Sequence, residues 1–136
     1  MSLEFPFPEF WYPHRVSYGE TDAMKVLYNG EYLHIFERAR NFMIHQAGIS
    51  YQLVEDKGIM LPVRDAHVRY RRPIRFDQLI YVRIGVSEWS RASMTFAYEI
   101  FNEDKSTLHA TGSTQHACTN LLGKPVRVPQ WLRDLF

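Results

Sequence analysis

The sequence predicts a single α+β domain in which an antiparallel sheet wraps around one long helix. Between Gly30 and Gly48, apolar residues recur at spacings of three and four, a pattern typical of an amphipathic helix. After Gly58, long runs in which apolar and polar side chains alternate indicate strands. The chain has 136 residues, of which 46% are apolar and 15% aromatic, enough for one core of ordinary size. Residues 1–136 are therefore expected to form one domain.

The long helix is expected to start with Asn29 or Gly30 as its N-cap and to end at Gly48. Ser50 is expected to cap a shorter helix that ends at Gly58. The apolar side of the long helix is predicted to carry Leu33, Phe36, Ala39, Arg40 and Met43.

Four strands are predicted after Gly58, at residues 60–70, 79–89, 93–102 and 108–120. The short connections between the last three predict an antiparallel meander. The edge strands of a sheet that wraps around one helix expose unpaired backbone groups. A homodimer, or a tetramer built from dimers, is the expected way to cover these edges.

The N-terminal segment, residues 1–13, is expected to be an extended arm rich in Phe, Trp, Tyr and Pro. Its three prolines exclude a helix and discourage a central strand. Its aromatic side chains are expected to pack on the domain or on a partner subunit. A short strand is predicted to follow, around residues 15–18.

Charge and cysteine content exclude several classes of protein. The chain has 16 Lys and Arg residues and 15 Asp and Glu residues, and the net charge of +1 argues against nucleic-acid binding through a broad basic face. The single cysteine, Cys118, excludes a disulfide framework within the chain and a multi-cysteine metal site. No apolar run approaches the roughly 20 residues of a membrane span, and the start lacks the pattern of a secretory signal. A cytoplasmic protein without a metal is expected.

The most informative stretch runs from Tyr18 to Tyr32 and reads YGETDAMKVLYNGEY. It places a carboxylate, Asp22, in a polar turn about seven residues before the long helix. The first amide groups of a helix have no partner within the helix and lie at its positive end. Such groups can stabilise a developing oxyanion, and a nearby carboxylate can attack a carbonyl or activate water. From the residues alone, a structural turn or cap is the alternative interpretation of Asp22.

Four motifs occur in a fixed order: T-D-A-M-x-V-x-Y-N-x-E-Y-L, F-E-R-A-R, A-G-I-S and Y-R-R-P-I-R-F-D. Their order and spacing resemble those of the hot-dog-fold acyl-CoA thioesterases, in the branch that contains 4-hydroxybenzoyl-CoA thioesterase and the small bacterial acyl-CoA thioesterases. The resemblance covers the chain from about residue 13 to residue 132. It implies a hot-dog fold and hydrolysis of an acyl- or aryl-CoA to the free acid and CoA.

The resemblance also implies roles for individual residues. Asp22 matches the catalytic carboxylate, which acts as the nucleophile or as a general base on water. Asn29 matches the position at the helix N-terminus whose backbone N–H polarises the thioester carbonyl. Tyr28 and Tyr32 match aromatic positions beside the substrate pocket.

Lys25 departs from the family pattern, which has glycine three residues after the catalytic aspartate. Glycine allows backbone angles that a Lys side chain resists. Either the turn follows a different path here, or Lys25 points outward, where it could contact the phosphates of the substrate.

Coenzyme A carries a 3′-phosphate and a pyrophosphate, so its binding site needs exposed basic groups. The resemblance places such contacts in two regions, which here contain Arg91 and Ser93 and then Lys124 and Arg127. The alternative for each of these residues is an ordinary position on the solvated surface. No resident cofactor is expected, since CoA is part of the substrate.

Two other charged groups have two interpretations each. Glu37 either points toward the site of a partner subunit or forms an exposed ion pair with Arg38 or Arg40, and we favour the ion pair. The arginines between residues 69 and 75 form a basic run that is either solvated surface or a docking patch for an acidic partner.

Three functions remain open: hydrolysis of acyl-CoA through Asp22, hydrolysis of acyl groups carried by acyl carrier protein, and binding of acyl-CoA without catalysis. A nucleophilic pair of Cys118 and His116 is disfavoured, because a buried thiol is usually inert. The G-x-S-x-G motif of serine hydrolases does not occur in the sequence.

Overall fold

The computed structural model describes residues 4–136, so the first three residues of the predicted arm lie outside the described residues. The described residues form strands β1 (Phe10–Arg15), β2 (Val63–Tyr70), β3 (Leu79–Trp89), β4 (Ser93–Asn102) and β5 (Leu108–Ala117). The helices are α1 (Tyr32–Gln46), α2 (Tyr51–Asp56) and α3 (Gln130–Arg133). The strands form one sheet in the order β1-β3-β4-β5-β2, and all neighbours are antiparallel. The predicted α+β hot-dog fold, an antiparallel sheet around one long helix, is confirmed.

Helix α1 forms the centre of the core. Its side chains Ile35, Phe36, Ala39 and Met43 are fully buried, as the spacing of three and four predicts. The ring of Phe36 stacks on the ring of Tyr98 in β4, with 4.0 Å between their centroids. Burial of the Ile, Phe and Met side chains stabilises the fold by about 1.5–3 kcal/mol each.

The start of α1 differs from the prediction in two ways. A 3-10 turn, Asn29–Glu31, leads directly into the helix, and no side chain caps either element, so the predicted cap at Asn29 or Gly30 is wrong. Leu33, predicted on the apolar side, is 45% exposed. By contrast, the Ser50 hydroxyl accepts a hydrogen bond from the Leu53 N–H, which confirms the cap of α2.

Strands β3, β4 and β5 form the predicted meander, and β3 and β4 begin and end where the alternation predicts. Strand β5 ends at Ala117, short of residue 120. The chain then bends, and Thr119 forms single bridges with Met60 and Pro125. Strand β2 accordingly begins at Val63 and not at residue 60.

The first strand lies further toward the N-terminus than predicted. It spans Phe10–Arg15, while Tyr18, the last residue of the predicted strand, begins the 3-10 turn Tyr18–Glu20. The prolines discourage a central strand, and β1 is accordingly at the sheet edge, where one side needs no backbone hydrogen bonds. The residues before β1 lie across β3: a side chain at Gly85 would come within 3.1 Å of the carbonyl oxygens of Pro6 and Pro8.

The two ends of the sheet matter for the site. At one end of the sheet, β3 and β5 begin and β2 and β4 end. We call it the Asp22 end, since Val26 and Leu27, shortly after Asp22, bond to Arg75 and Ile74 just before β3. The opposite end, where β3 and β5 end and β4 begins, we call the Trp89 end. The 11 residues of β3 separate the two ends by about 35 Å. No helix among residues 4–136 is long and apolar enough to cross a membrane.

Candidate active site

Asp22 lies in a closed turn that precedes α1. Thr21 and Leu27 pair at the base of this turn, and the Asp22 N–H donates to the Val26 carbonyl at 3.0 Å. The side-chain Oδ1 of Asp22 accepts a hydrogen bond from the Met24 N–H at 2.8 Å, which closes an Asx turn. The carboxylate is exposed in the single chain and keeps one oxygen free of this contact.

Lys25 adopts a backbone conformation that is unusual for a residue with a side chain. Its φ is +61°, in the left-handed region that favours glycine. The Phe76 N–H donates to the Lys25 carbonyl at 3.0 Å and the Lys25 N–H donates to the Asp22 carbonyl at 2.9 Å, so the surrounding chain holds this conformation. The side chain is exposed. Of the two possibilities raised by the sequence, the turn thus keeps a glycine-like path, and Lys25 points outward.

The start of α1 offers two unused backbone donors. In the described chain, no hydrogen bond uses the N–H of Asn29 or of Gly30 as its donor. These amides lie at the positive end of the helix, where an anion is stabilised. The Tyr28 N–H donates to the Glu20 carbonyl at 2.9 Å, which ties the helix start to the beginning of the Asp22 turn.

Aromatic side chains surround this helix start. Tyr28 is 56% exposed, and its ring lies 2.8 Å from where a side chain at Gly30 would begin, so only glycine leaves room for the ring. Tyr70, at the end of β2, donates a hydrogen bond from its hydroxyl to the Asn29 carbonyl at 3.3 Å. No local pattern in the sequence indicates Tyr70 as a site residue, because the contact joins residues 41 positions apart.

Tyr32 lies in the core, not on the surface of the site. It is 3% exposed, and burial raises the pKa of its hydroxyl to about 12. Its ring packs edge-on against Tyr70, with 4.8 Å between the centroids. In the single chain Tyr32 therefore supports Tyr70 and has no direct path to a substrate.

A second carboxylate, Glu20, anchors the turn from inside. It is 8% exposed and accepts hydrogen bonds from the Ser17 N–H at 2.8 Å, the Ser17 hydroxyl at 3.0 Å and His14 Nε2 at 2.9 Å. Arg38 of α1 lies 3.5 Å away. Burial alone raises the pKa of this carboxyl, but the hydrogen bonds from Ser17 and His14 outweigh it and hold the pKa below the ordinary value.

The ion pair predicted for Glu37 is wrong. Arg38 pairs with Glu20, and the Arg40 side chain points into the core, where it bonds to Tyr98. Glu37 is exposed and lines two adjoining cavities of about 700 and 280 Å³ that follow α1.

The four candidate contacts for CoA phosphates lie far from Asp22 within one chain. The Arg91 carbonyl accepts the Val128 N–H at 2.7 Å, which places Arg91 and Arg127 together at the Trp89 end. Arg91, Lys124 and Arg127 are exposed, whereas Ser93 is 6% exposed. A single chain thus brings Asp22, Lys25, Tyr28 and Asn29 together but leaves these basic residues at the opposite end of the sheet.

The basic run between residues 69 and 75 lies at the Asp22 end. Arg69, Arg71, Arg72 and Arg75 are all exposed, and no carboxylate in the described part of the chain lies within 4.0 Å of them. Val26 of the Asp22 turn pairs with Arg75. The arginines therefore place exposed positive charges beside the turn, although the net charge of the chain is small.

Cys118 and His116 do not form a nucleophilic pair. Cys118 is fully buried, and burial raises the pKa of its thiol, so the thiol stays protonated. Burial lowers the pKa of His116 to about 4. Its two ring nitrogens bond to the Leu61 carbonyl and the Thr114 hydroxyl.

Strand β2 is an exposed edge beside the site. Seven of its eight residues are exposed, and only Val68 is half-buried. Val63, Tyr70 and the nearby Leu33 of α1 are about half exposed. A long edge with exposed apolar side chains is a surface on which another chain can pair.

Comparison with known proteins identifies the family of this chain. The family model described as the thioesterase-like superfamily matches residues 16–136. The acyl-CoA thioesterase YbgC of Haemophilus influenzae is 32% identical over 130 residues, which cover 93% of this chain and 93% of that protein.

Two solved structures are similar over most of this chain. The DHNA-CoA thioesterase of Staphylococcus aureus has a TM-score of 0.84 and 36% identity, covering 93% of this chain and 85% of that one. A hypothetical protein from Aquifex aeolicus has a TM-score of 0.86 and 30% identity, covering 93% of this chain and 98% of that one. With its family match over 121 residues, its fold and these relatives, the chain belongs to the thioesterase-like superfamily.

Proposed function

We propose that this protein hydrolyses the thioester bond of an acyl- or aryl-CoA, with Asp22 as the reacting carboxylate and the Asn29 N–H as the oxyanion donor. The reaction class, thioester hydrolysis, is the one for which its relatives are named. The observation that carries the proposal is the pair of unused N–H groups at Asn29 and Gly30, directly after a turn that presents an exposed carboxylate.

The chemistry follows from these two features. Donors aimed at the thioester oxygen stabilise the negative charge that develops when the carbonyl carbon is attacked. As a nucleophile, Asp22 would form an anhydride and release CoA thiolate, and water would then cleave the anhydride. As a general base, Asp22 would take a proton from the attacking water, and the thiolate would leave from the tetrahedral intermediate. The geometry is compatible with either route.

A second copy of the chain would complete the site. A twofold axis perpendicular to the sheet would pair two β2 strands in an antiparallel manner, so that Val63 of one copy faces Tyr70 of the other. Since Val63 pairs with His116 and lies toward the Trp89 end, the Trp89 end of one copy would come beside the Asp22 end of the other. Arg91, Lys124 and Arg127 of a second copy would then stand near Asp22, available for the CoA phosphates.

The experiment is a hydrolysis assay on purified protein with a panel of CoA esters, in which the released thiol is followed with a thiol reagent. 1,4-Dihydroxy-2-naphthoyl-CoA is the first aryl substrate to try, because relatives carry its name. Asp22→Asn preserves the oxygen that accepts the Met24 N–H, so we expect the fold to be retained. We expect kcat to fall by at least about 100-fold while substrate binding persists.

The matched control is Asp104→Asn. Asp104 is also exposed and accepts the N–H two residues further on, from Ser106 at 2.9 Å, but it lies in the turn between β4 and β5. Its substitution should leave kcat within about twofold. If Asp22→Asn keeps kcat within threefold of the wild type, Asp22 is not the reacting group.

A second candidate substrate class, acyl groups on acyl carrier protein, is favoured by the unpaired arginines between residues 69 and 75. An acidic carrier would be attracted to this patch, and its association would slow steeply with salt. Cleavage of an acyl carrier protein ester at a higher kcat/KM than the matching CoA ester would favour this class. If CoA esters bind and neither ester is cleaved, the protein is a binder and not a hydrolase.

A further inference from the structure

Arg40 is a buried cation on the wall of the cavities that follow α1. Its side chain is 7% exposed, and it lines both the 700 Å³ cavity and the 280 Å³ cavity. The smaller cavity also touches Gly30, at the helix start. The two cavities share Arg40 and Glu37, so together they run along α1 from the oxyanion donors toward His45.

The groups that hold Arg40 are neutral. Arg40 Nη1 donates to the Tyr98 hydroxyl at 3.0 Å, and this hydroxyl lies 2.6 Å from that of Thr114. Thr114 lies 2.8 Å from His116 Nε2, and His116 Nδ1 lies 2.9 Å from the Leu61 carbonyl. Since a carbonyl only accepts, Nδ1 carries the proton of His116, and each hydroxyl then donates to the next group. The relay orients the guanidinium without cancelling its charge.

In the part of the chain that the structure describes, no carboxylate lies within 4.0 Å of the Arg40 guanidinium. Burial alone lowers the pKa of Arg40, but the hydroxyls of Tyr98 and Tyr51 outweigh it, so the net pKa is raised and the group stays charged. A buried cation without a counter-charge is costly unless an anion joins it.

The other charges at these cavities do not supply that anion. Arg38 is engaged by Glu20, and the low pKa of His116 keeps its ring neutral near pH 7. Glu37 is the only carboxylate among the residues that line the two cavities, and it is exposed, so water screens its charge. The field of buried Arg40 is screened less and dominates the inner wall.

We infer that Arg40 binds the distal end of the acyl group, and that this enzyme prefers acyl groups with a carboxylate about 10 Å from the thioester carbonyl. The inference rests on the proposed function for the position of the carbonyl at Asn29. Arg40 lies 11 residues after Asn29, which corresponds to about 16 Å along the helix axis. Side chains of a helix lean back toward its N-terminus, which shortens the distance from Asn29 to the guanidinium. An eight-carbon dicarboxylic acyl group spans about 9 Å between its two ends, which matches the remaining distance.

The aromatic side chains Tyr12, Phe42 and Tyr51 line the larger cavity and give the acyl group an apolar path. A guanidinium recognises a carboxylate through two parallel hydrogen bonds, which a terminal methyl group cannot accept. We expect an acyl chain that ends in a carboxylate to bind about 10-fold or more tightly than one that ends in a methyl group.

The test compares suberoyl-CoA with octanoyl-CoA, which have equal length and differ only at the distal end. We expect wild-type kcat/KM to be about 10-fold or more higher for suberoyl-CoA, and we expect Arg40→Met to abolish this preference. Succinoyl-CoA and butanoyl-CoA are the length control. Succinoyl-CoA carries the same terminal charge as suberoyl-CoA but is too short to reach Arg40. The ratio of its kcat/KM to that of butanoyl-CoA should therefore be the same in the wild type and in Arg40→Met. Equal rates for suberoyl-CoA and octanoyl-CoA in the wild type would overturn the inference.

Calorimetric titration with free suberate and with 1,8-octanediol, a neutral chain of the same length, tests the same contact without turnover. Suberate should bind the wild type at least about 10-fold more tightly than Arg40→Met, with the affinity for 1,8-octanediol unchanged. If circular dichroism shows that Arg40→Met does not fold, Arg40→Lys keeps the charge and should reduce the suberate preference several-fold. An unchanged preference in either folded variant contradicts the inference. If no CoA ester is hydrolysed, the proposed function fails, while the suberate titration still decides the role of Arg40.

Discussion

Replacing Glu20 by Gln should destabilise the whole domain, because this carboxylate holds the turn that presents Asp22. Its oxygens accept two hydrogen bonds from Ser17 and one from His14, and Arg38 lies 3.5 Å away. Gln has a single acceptor oxygen and no charge, so its NH2 group would face N–H and O–H donors and could accept no hydrogen bond from them. Loss of hydrogen bonds to a buried charged group costs about 2–3 kcal/mol.

The loss should be visible in thermal unfolding. For a domain of this length, 1 kcal/mol corresponds to roughly 3–4 °C in Tm, so Glu20→Gln should lower Tm by about 6–12 °C at pH 7. Glu103→Gln, an exposed residue in the turn between β4 and β5, is the control and should change Tm by less than about 2 °C.

The pH dependence gives a second readout. Because the pKa of folded Glu20 lies below its ordinary value of 4.5, its stabilising effect is fully present above that value. It is lost as the pH falls through the folded pKa. The difference in Tm between the wild type and Glu20→Gln should therefore narrow as the pH is lowered below about 4.5. A loss of less than 1 kcal/mol in the free energy of unfolding at pH 7, or a difference in Tm that does not change with pH, would refute this account of Glu20.

Three further predictions concern packing, substrate binding and assembly. Gly112→Ala would place a side chain 2.5 Å from the Phe36 ring and 2.8 Å from a backbone carbonyl. Chemical denaturation should therefore show a loss of about 2–3 kcal/mol in the free energy of unfolding. Gly19→Ala, which has open space around it, is the control and should change this free energy little. Lys124→Ala and Arg127→Ala should raise KM for CoA esters more than they lower kcat; equal falls in kcat and kcat/KM would contradict a simple phosphate contact. Sedimentation at micromolar concentration should show at least twice the 16.1 kDa mass of the chain, and a monomer would contradict pairing through β2.

Regular periodicity explains why most of the fold could be predicted from the sequence. The apolar spacing of α1 and the alternation in β3 and β4 are local signals, and the structure follows them closely. The position of strand β1 is not a local signal: the prolines discourage only a central strand, and the place of β1 at the sheet edge depends on long-range pairing with β3.

The same distinction applies to the site. Asp22 and Asn29, which begins the 3-10 turn that leads into α1, are only seven positions apart, so the sequence could indicate their proximity. The contacts of Glu20 with Arg38, of Tyr70 with Asn29 and of Arg40 with Tyr98 join residues 18, 41 and 58 positions apart, and no local pattern encodes them.

The position of the basic residues proposed to bind CoA could not be predicted from the sequence either. Arg91 and Arg127 lie together, but at the end of the sheet remote from Asp22. In the proposed site they reach the substrate only if two chains pair, and we expect such pairing to depend on the exposed edge strand β2 and not on any motif.

The most direct test of the central claim is a crystal structure with a CoA analogue in which a methylene group replaces the thioester sulfur, leaving a ketone that cannot be hydrolysed. We expect the ketone oxygen within about 3 Å of the Asn29 N–H, and a carboxylate oxygen of Asp22 about 3–3.5 Å from the carbonyl carbon or joined to it through one water. A ketone bound away from the start of α1, or an Asp22 carboxylate still turned to solvent with the analogue in place, would contradict the proposed mechanism.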